Sequence, residues 1–332
     1  MNSRTMSRRV ARHIAWAAAS VALLPMPVAA QPVSNAPQAA TAEPGVPLLQ
    51  PLRALGRVIA PAETRRLLAG WSTDTGAGVV LERDLAYGPD PRHRLDIAAA
   101  PGSQNLPVLV FVHGGGFTAG ERRLPDTPYF DNVAIWAVRH GMVGVSITYR
   151  LAPAHPWPAG AQDVGLALRW LRDEVAARGG DPRRMFVFGH SSGATHVASY
   201  LADASASVPT APRLAGALLL SGIYRIPADA PLPPNVVAYY GAERQAWPAR
   251  SPFGGLLRTP VALWLGWCEL DPPNLEHQAQ QLNDALCRED RCPAIARLAD
   301  HNHMSAPYSL GSDDPTVGTQ VLAFVRSRLH AP

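Results

Sequence analysis

Met185-Phe186-Val187-Phe188 runs straight into Gly189-His190-Ser191-Ser192-Gly193, and that junction decides the fold. The apolar run has the length and residue types of a buried strand. The segment after it, Ala194-Thr195-His196-Val197-Ala198-Ser199-Tyr200-Leu201, forms helix readily. A tight strand-to-helix turn forces Ser191 into a strained backbone conformation, and the glycines on either side keep neighbouring atoms clear. The helix N-terminus then points unpaired N–H groups and its positive dipole end at the serine. Glycines flanking a serine are a weak signal alone. The strand before and the helix after raise it to a nucleophile turn.

A second glycine turn lies upstream. Val108-Leu109-Val110-Phe111-Val112 reads as a strand and leads into His113-Gly114-Gly115-Gly116-Phe117. Glycine lets backbone amides approach a substrate without an intervening side chain. The N–H groups of Gly115, Gly116 and Ser192 are the expected oxyanion donors, with Gly114 shaping the turn. One such donor lowers an acyl-transfer barrier by roughly 3 kcal/mol.

A serine hydroxyl needs a base, and the base needs an orienting acid. After Val261-Ala262-Leu263-Trp264-Leu265-Gly266-Trp267 comes Cys268-Glu269-Leu270-Asp271-Pro272-Pro273. After the last strand comes Asp300-His301-Asn302-His303-Met304-Ser305. Both are loops at strand carboxyl ends, and each offers two candidates. Asp271 is favoured over Glu269 because it lies farther past the strand and just before a helix start. His303 is favoured over His301. The losing member of each pair would be a supporting polar group. Cys268, Cys287 and Cys292 lack nearby histidines, so no zinc site is expected.

Outward from these motifs, strands are predicted near 79–87, 93–98, 107–112, 142–148, 185–188, 214–220, 261–267 and 294–299. Helices are predicted near 129–140, 160–178, 192–203, 273–287 and 315–329. The later alternation implies parallel βαβ units, and the first two strands fit an antiparallel edge hairpin. The fold class is therefore α/β, a mostly parallel sheet with helices on both faces. Residues 222–258, rich in proline and holding Tyr239-Tyr240-Gly241, break the rhythm and read as a small cap over the strand ends. Residues 31–75 read as a linker and an N-terminal arm with two short amphipathic helices, and 76–332 as the catalytic domain.

The formal charge is +4, but Arg4, Arg8, Arg9 and Arg12 account for it. Without them 26 Arg face 26 acidic residues, so no basic stripe remains and nucleic acid is a poor partner. Those arginines precede the apolar run Ile14–Leu24, and Val28-Ala29-Ala30 stands before Gln31. The pattern predicts a secretory signal over 1–30 and export to the periplasm or beyond, with no stable membrane insertion after cleavage. Export permits a Cys287–Cys292 bridge and leaves Cys268 over. The sequence sets no oligomeric state.

The chain resembles α/β-hydrolase esterases of the hormone-sensitive-lipase-like and acetyl-esterase groups from about residue 85 onward. Besides the glycine turns, the resemblance rests on Leu95-Asp96-Ile97, Tyr149-Arg150-Leu151-Ala152-Pro153, Pro156-Trp157-Pro158-Ala159, Asp163 and Gly180-Asp181-Pro182-Arg183-Arg184. It implies that Tyr149–Pro153 supports the oxyanion turn, and it favours Asp271 as acid and His303 as base. His190 and Ser192 depart from the usual lipase-like nucleophile motif toward feruloyl-esterase-like and kynurenine-formamidase-like relatives. The expected function is a serine carboxylesterase acting through an acyl-enzyme on short-chain or small aryl esters, with no cofactor or metal. Phe117, Trp157 and Trp267 would line its pocket or pack in the core. Two alternatives stand beside it: an amidase-type hydrolase such as a kynurenine formamidase, and a catalytically inactive binding protein on the same fold.

Overall fold

The computed structural model describes residues 50–71, 73–207 and 212–330. The predicted signal segment and the linker after it lie outside the described residues. Eight strands form one sheet: β1 (Val80–Ala86), β2 (Arg94–Ala99), β3 (Leu106–Val112), β4 (Val143–Ile147), β5 (Gly180–His190), β6 (Leu214–Leu220), β7 (Leu263–Leu270) and β8 (Ala294–Asn302). Their order is β1-β2-β4-β3-β5-β6-β7-β8. β1 pairs antiparallel with β2, and β2 with β4; from β4 to β8 every pairing is parallel.

The helices are α1 (Gln50–Ala54), α2 (Pro61–Leu67), α3 (Asp131–Arg139), α4 (Ala159–Glu174), α5 (Ser192–Ser207), α6 (Pro234–Tyr240), α7 (Trp247–Arg250), α8 (Phe253–Leu256), α9 (Pro273–Arg288), α10 (Ser305–Tyr308) and α11 (Thr316–Leu329). The central strands are apolar on both faces, as a sheet covered on both sides requires. Side chains alternate across it. Val108, Val110, Met185, Val187, Ala217 and Leu219 enter one core with Val164 and Leu168 of α4 and Val197 of α5. Leu109, Phe111, Phe186, Phe188, Leu218 and Leu220 enter the other with Trp136 of α3 and Val321 and Phe324 of α11.

Three strands, β5, β7 and β8, run two or more residues beyond their predicted bounds. β5 begins at Gly180, because Leu106 pairs with Gly180 ahead of a register irregularity. The Asp181-Pro182 step lies within the strand, with the Asp181 carboxylate taking the Arg183 N–H at 2.9 Å and the Arg184 guanidinium at 3.0 Å. β7 continues to Leu270, which pairs with Asn302 of β8. Cys287 and Cys292 are disulfide-bonded and Cys268 is a buried free thiol. Among the described residues no helix is long and apolar enough to cross a membrane.

Register fixes where the turns meet. Val112 lies opposite Gly189, and Gly189 opposite Leu219, so β3, β5 and β6 end side by side. The exits of β7 and β8 follow at the same edge. The carboxyl ends of parallel strands are where open α/β sheets bind ligands.

Candidate active site

Ser191 has φ +56°, a left-handed conformation that a non-glycine residue adopts only when its surroundings enforce it. Its N–H donates to Leu220 O at 2.8 Å, and α5 starts at the next residue. The Gly114 turn crosses close to this elbow. A Cβ on Gly114 would lie 2.9 Å from Ser191 Cβ, so no side chain fits there.

The two loops after β7 and β8 meet beside the elbow. His303 Nδ1 donates to Asp271 Oδ1 at 2.7 Å, with both side chains buried. The other carboxylate oxygen, Oδ2, accepts from Ser221 Oγ at 2.6 Å and from Cys268 N at 2.7 Å. Burial pushes the Asp271 carboxyl up, but the bonds from His303, Ser221 and the Cys268 N–H outweigh it and hold the group below its ordinary range. Asp271 therefore stays ionised, and the bond keeps the His303 proton on Nδ1. No hydrogen bond joins Ser191 Oγ to His303 among the described residues. Such bonds are often long before substrate arrives.

His190, next to the serine, donates from Nε2 to the His303 carbonyl at 2.9 Å and holds the loop after β8 against the elbow. Burial, then the neighbouring His303, pushes the His190 pKa down to about 3, so it is a neutral fixture. His113 is likewise neutral: burial pushes it down to about 3, and its Nδ1 donates to Gly114 O at 2.6 Å. Tyr149 supports the His113–Gly116 turn. Its hydroxyl donates to His113 O at 2.8 Å, and its ring stacks on His113 at 4.4 Å. The N–H groups of Gly115 and Gly116 have no acceptor among the described residues, which leaves them available to a ligand.

The unfavoured candidates have other partners. Glu269 accepts the Asp300 N–H at 2.8 Å and pairs with Arg53 at 3.3 Å and Arg297 at 3.4 Å. His301 is buried with Nε2 2.9 Å from Asp314 Oδ2 and Nδ1 3.0 Å from Ser305 Oγ. Its ring nitrogens thus meet Asp314 and Ser305, not Ser191 or Asp271.

Several supports carry no local sequence signal. Ser221 joins the acid only because β6 and β7 are neighbours. Arg57 of the N-terminal arm donates from Nε to the Asp271 carbonyl at 2.6 Å, and Thr64 accepts from Asn302 Nδ2 at 2.9 Å. The arm thus touches both Asp271 and the end of β8.

A cavity of ≈ 570 Å³ opens at Ser191, walled by Phe117, Ile223, Leu232, Val236 and Leu275, with Ile59 from the arm at its edge. Residues 222–258 supply much of this wall. Phe117 lines the cavity as expected; Trp157 and Trp267 do not. Trp157 packs under the segment 222–258 with Arg250 over its ring at 5.5 Å. Trp267 is buried within β7, four residues before Asp271.

Comparison with known proteins agrees with this fold. Residues 109–249 match the alpha/beta hydrolase fold family. The carboxylesterase NlhH of Mycobacterium tuberculosis is 49% identical over 90 residues, 27% of this chain and 27% of the relative. The esterase LipQ of the same organism is 39% identical over 131 residues, 38% of this chain and 30% of the relative. The matched stretch thus spans less than a third of either curated relative. Among solved structures, esterase B from Lactobacillus rhamnosis superposes with a TM-score of 0.66 at 17% identity, over 84% of this chain and 94% of that one. A thermostable esterase from Pseudomonas putida gives 0.62 at 20% identity, over 87% and 94%. With the sheet order, the family match and the superposed structures in agreement, the chain has the α/β-hydrolase fold.

Proposed function

We propose that the protein is a serine carboxylesterase. The observation that carries this reading is the buried His303–Asp271 pair, 2.7 Å apart, beside a serine held at φ +56°. Ser191 Oγ attacks the ester carbonyl carbon. Its proton passes to His303 Nε2, the nitrogen left free by the bond to Asp271. The carbonyl electron pair moves onto oxygen, where the N–H groups of Gly115, Gly116 and Ser192 receive it. Collapse breaks the C–O bond, and His303 returns the proton to the leaving alcohol. Water, deprotonated by His303, then releases the acid and restores Ser191. The names of the carboxylesterase and esterase relatives support the same reaction class.

The cavity favours small esters. Its volume of ≈ 570 Å³ suits a drug-sized ligand, and prolines 227, 231, 233 and 272 stiffen its wall. In a p-nitrophenyl ester series, kcat/KM peaks at acyl chains of about two to six carbons and falls by at least tenfold at twelve. A maximum at twelve or longer contradicts the small-acyl reading. Turnover of N-formylkynurenine above that of every ester would move the protein to the amidases.

Export completes the proposal, supported by the Arg-rich start, the Ala-Ala before Gln31 and the Cys287–Cys292 bridge. N-terminal sequencing of the protein from a native periplasmic or culture fraction returns Gln31 first; recovery only in the cytosol with residues 1–30 retained contradicts it.

A further inference from the structure

We infer that Asn235, on α6 of the segment 222–258, is a positioning residue for the oxyanion turn and couples that segment to catalysis. Its Nδ2 donates to Gly116 O at 2.9 Å. Gly116 sits at φ +60° and has no side chain to pack, so the turn takes its orientation from what holds its peptide groups.

Three consecutive carbonyls are held. Ala119 N donates to Gly115 O at 3.0 Å, Asn235 Nδ2 to Gly116 O at 2.9 Å, and Ala152 N to Phe117 O at 3.0 Å. A trans peptide is planar, with its N–H opposed to its C=O. Holding the Gly115 carbonyl therefore aims the Gly116 N–H, and holding the Gly116 carbonyl fixes the next plane around the Gly116 Cα. The first and third donors are main-chain groups that any sequence supplies. The middle one is a side chain from another part of the fold.

α6 grips the turn a second time. The Phe117 ring stacks on Tyr239 at 4.6 Å and 9°, and meets Tyr240 edge-on at 5.8 Å. A Cβ on Gly116 would come within 2.6 Å of Asn235 Nδ2, so the close approach requires both residues. Gly116, Phe117, Ser191 and Asn235 all line the same cavity. The latch is thus part of the wall against which substrate binds.

The proposal rests on the ester-hydrolase reading for its kinetic arm and not for its structural arm. Asn235→Ala removes the donor; Asn235→Asp keeps the shape and replaces the donor by an anion that repels both the carbonyl and the oxyanion. The expected result is a fall in kcat of about tenfold for Asn235→Ala and at least as much for Asn235→Asp, with KM within about threefold. A trifluoromethyl ketone tests the oxyanion directly. Ser191 Oγ adds to its carbonyl carbon, the proton passes to His303, and the carbonyl oxygen becomes the anion. Its inhibition constant weakens by the same factor as kcat/KM, while inhibition by the product carboxylate stays within about twofold. Hydrogen exchange over residues 114–120 quickens in both variants, and this holds whether or not the parent turns over esters. Unchanged exchange with kcat within twofold of the parent overturns the proposal. So does equal weakening of the ketone and the product, which would make Asn235 a simple wall residue.

Discussion

Asp271→Asn lowers kcat for a p-nitrophenyl ester by about 10⁴-fold, the scale seen when the orienting acid of a serine triad loses its charge. The cause is legible in three bonds. Asp271 Oδ1 takes the His303 proton at 2.7 Å, and Oδ2 takes the Ser221 hydroxyl at 2.6 Å and the Cys268 N–H at 2.7 Å. All three partners are donors, which only a carboxylate satisfies on both oxygens. An amide must turn its NH₂ toward one side. Facing His303, it favours the tautomer whose Nε2 carries the proton and cannot accept from Ser191. Facing Cys268, it sets N–H against N–H and leaves a buried donor unmatched, at a cost of about 1–3 kcal/mol of stability. Glu269→Gln is the control. Its carboxylate is engaged with Asp300 N, Arg53 and Arg297, so kcat stays within about threefold. Steady-state kinetics on the pair decides between the two acids; equal losses would contradict the assignment of Asp271.

His301→Ala costs about 3–5 kcal/mol of folding stability, because it strands Asp314 as a buried charge without its partner. For a chain of this size that is a fall in Tm of roughly 4–7 °C. Burial pushes the Asp314 carboxyl up, but His301 and Thr316 pull harder and bring it from 3.8 to about 2. The folded pKa lies below the unfolded one. The stabilisation is therefore complete above about pH 4 and disappears as pH falls through about 2. That shift is worth about 2 kcal/mol. Chemical denaturation of the parent between pH 5 and pH 2 shows this loss within its total acid sensitivity; in His301→Ala the corresponding component is smaller. A variant as stable as the parent, with the same acid profile, contradicts the role given to the pair.

These two sites show what local sequence could and could not carry. The order of strand, glycine turn and helix around Ser191 was readable because each part has its own signature: apolar run, φ-permissive residues, helix formers. The choice between Glu269 and Asp271 was harder. The two residues share the same parity on a strand, so alternation does not separate them. They are separated by where β7 stops: Leu270 still pairs with Asn302, and the chain turns at Asp271, whose N–H bonds back to Cys268 O at 3.1 Å. His301 and His303 pose the same problem. His301 remains in β8 and turns to Asp314, a partner in a later loop, while His303 leaves the strand and meets Asp271. Ser221, Arg57 and Asn235 were invisible because each acts on a residue far away in sequence.

If Ser191 is the nucleophile of an esterase site built by His303 and Asp271, a fluorophosphonate reacts there, as read by intact mass and peptide mapping. The expected result is a single adduct on Ser191 with complete loss of ester hydrolysis, and no adduct or hydrolysis in Ser191→Ala. An adduct on another residue, or a Ser191→Ala variant that hydrolyses p-nitrophenyl acetate as fast as the parent, would contradict it.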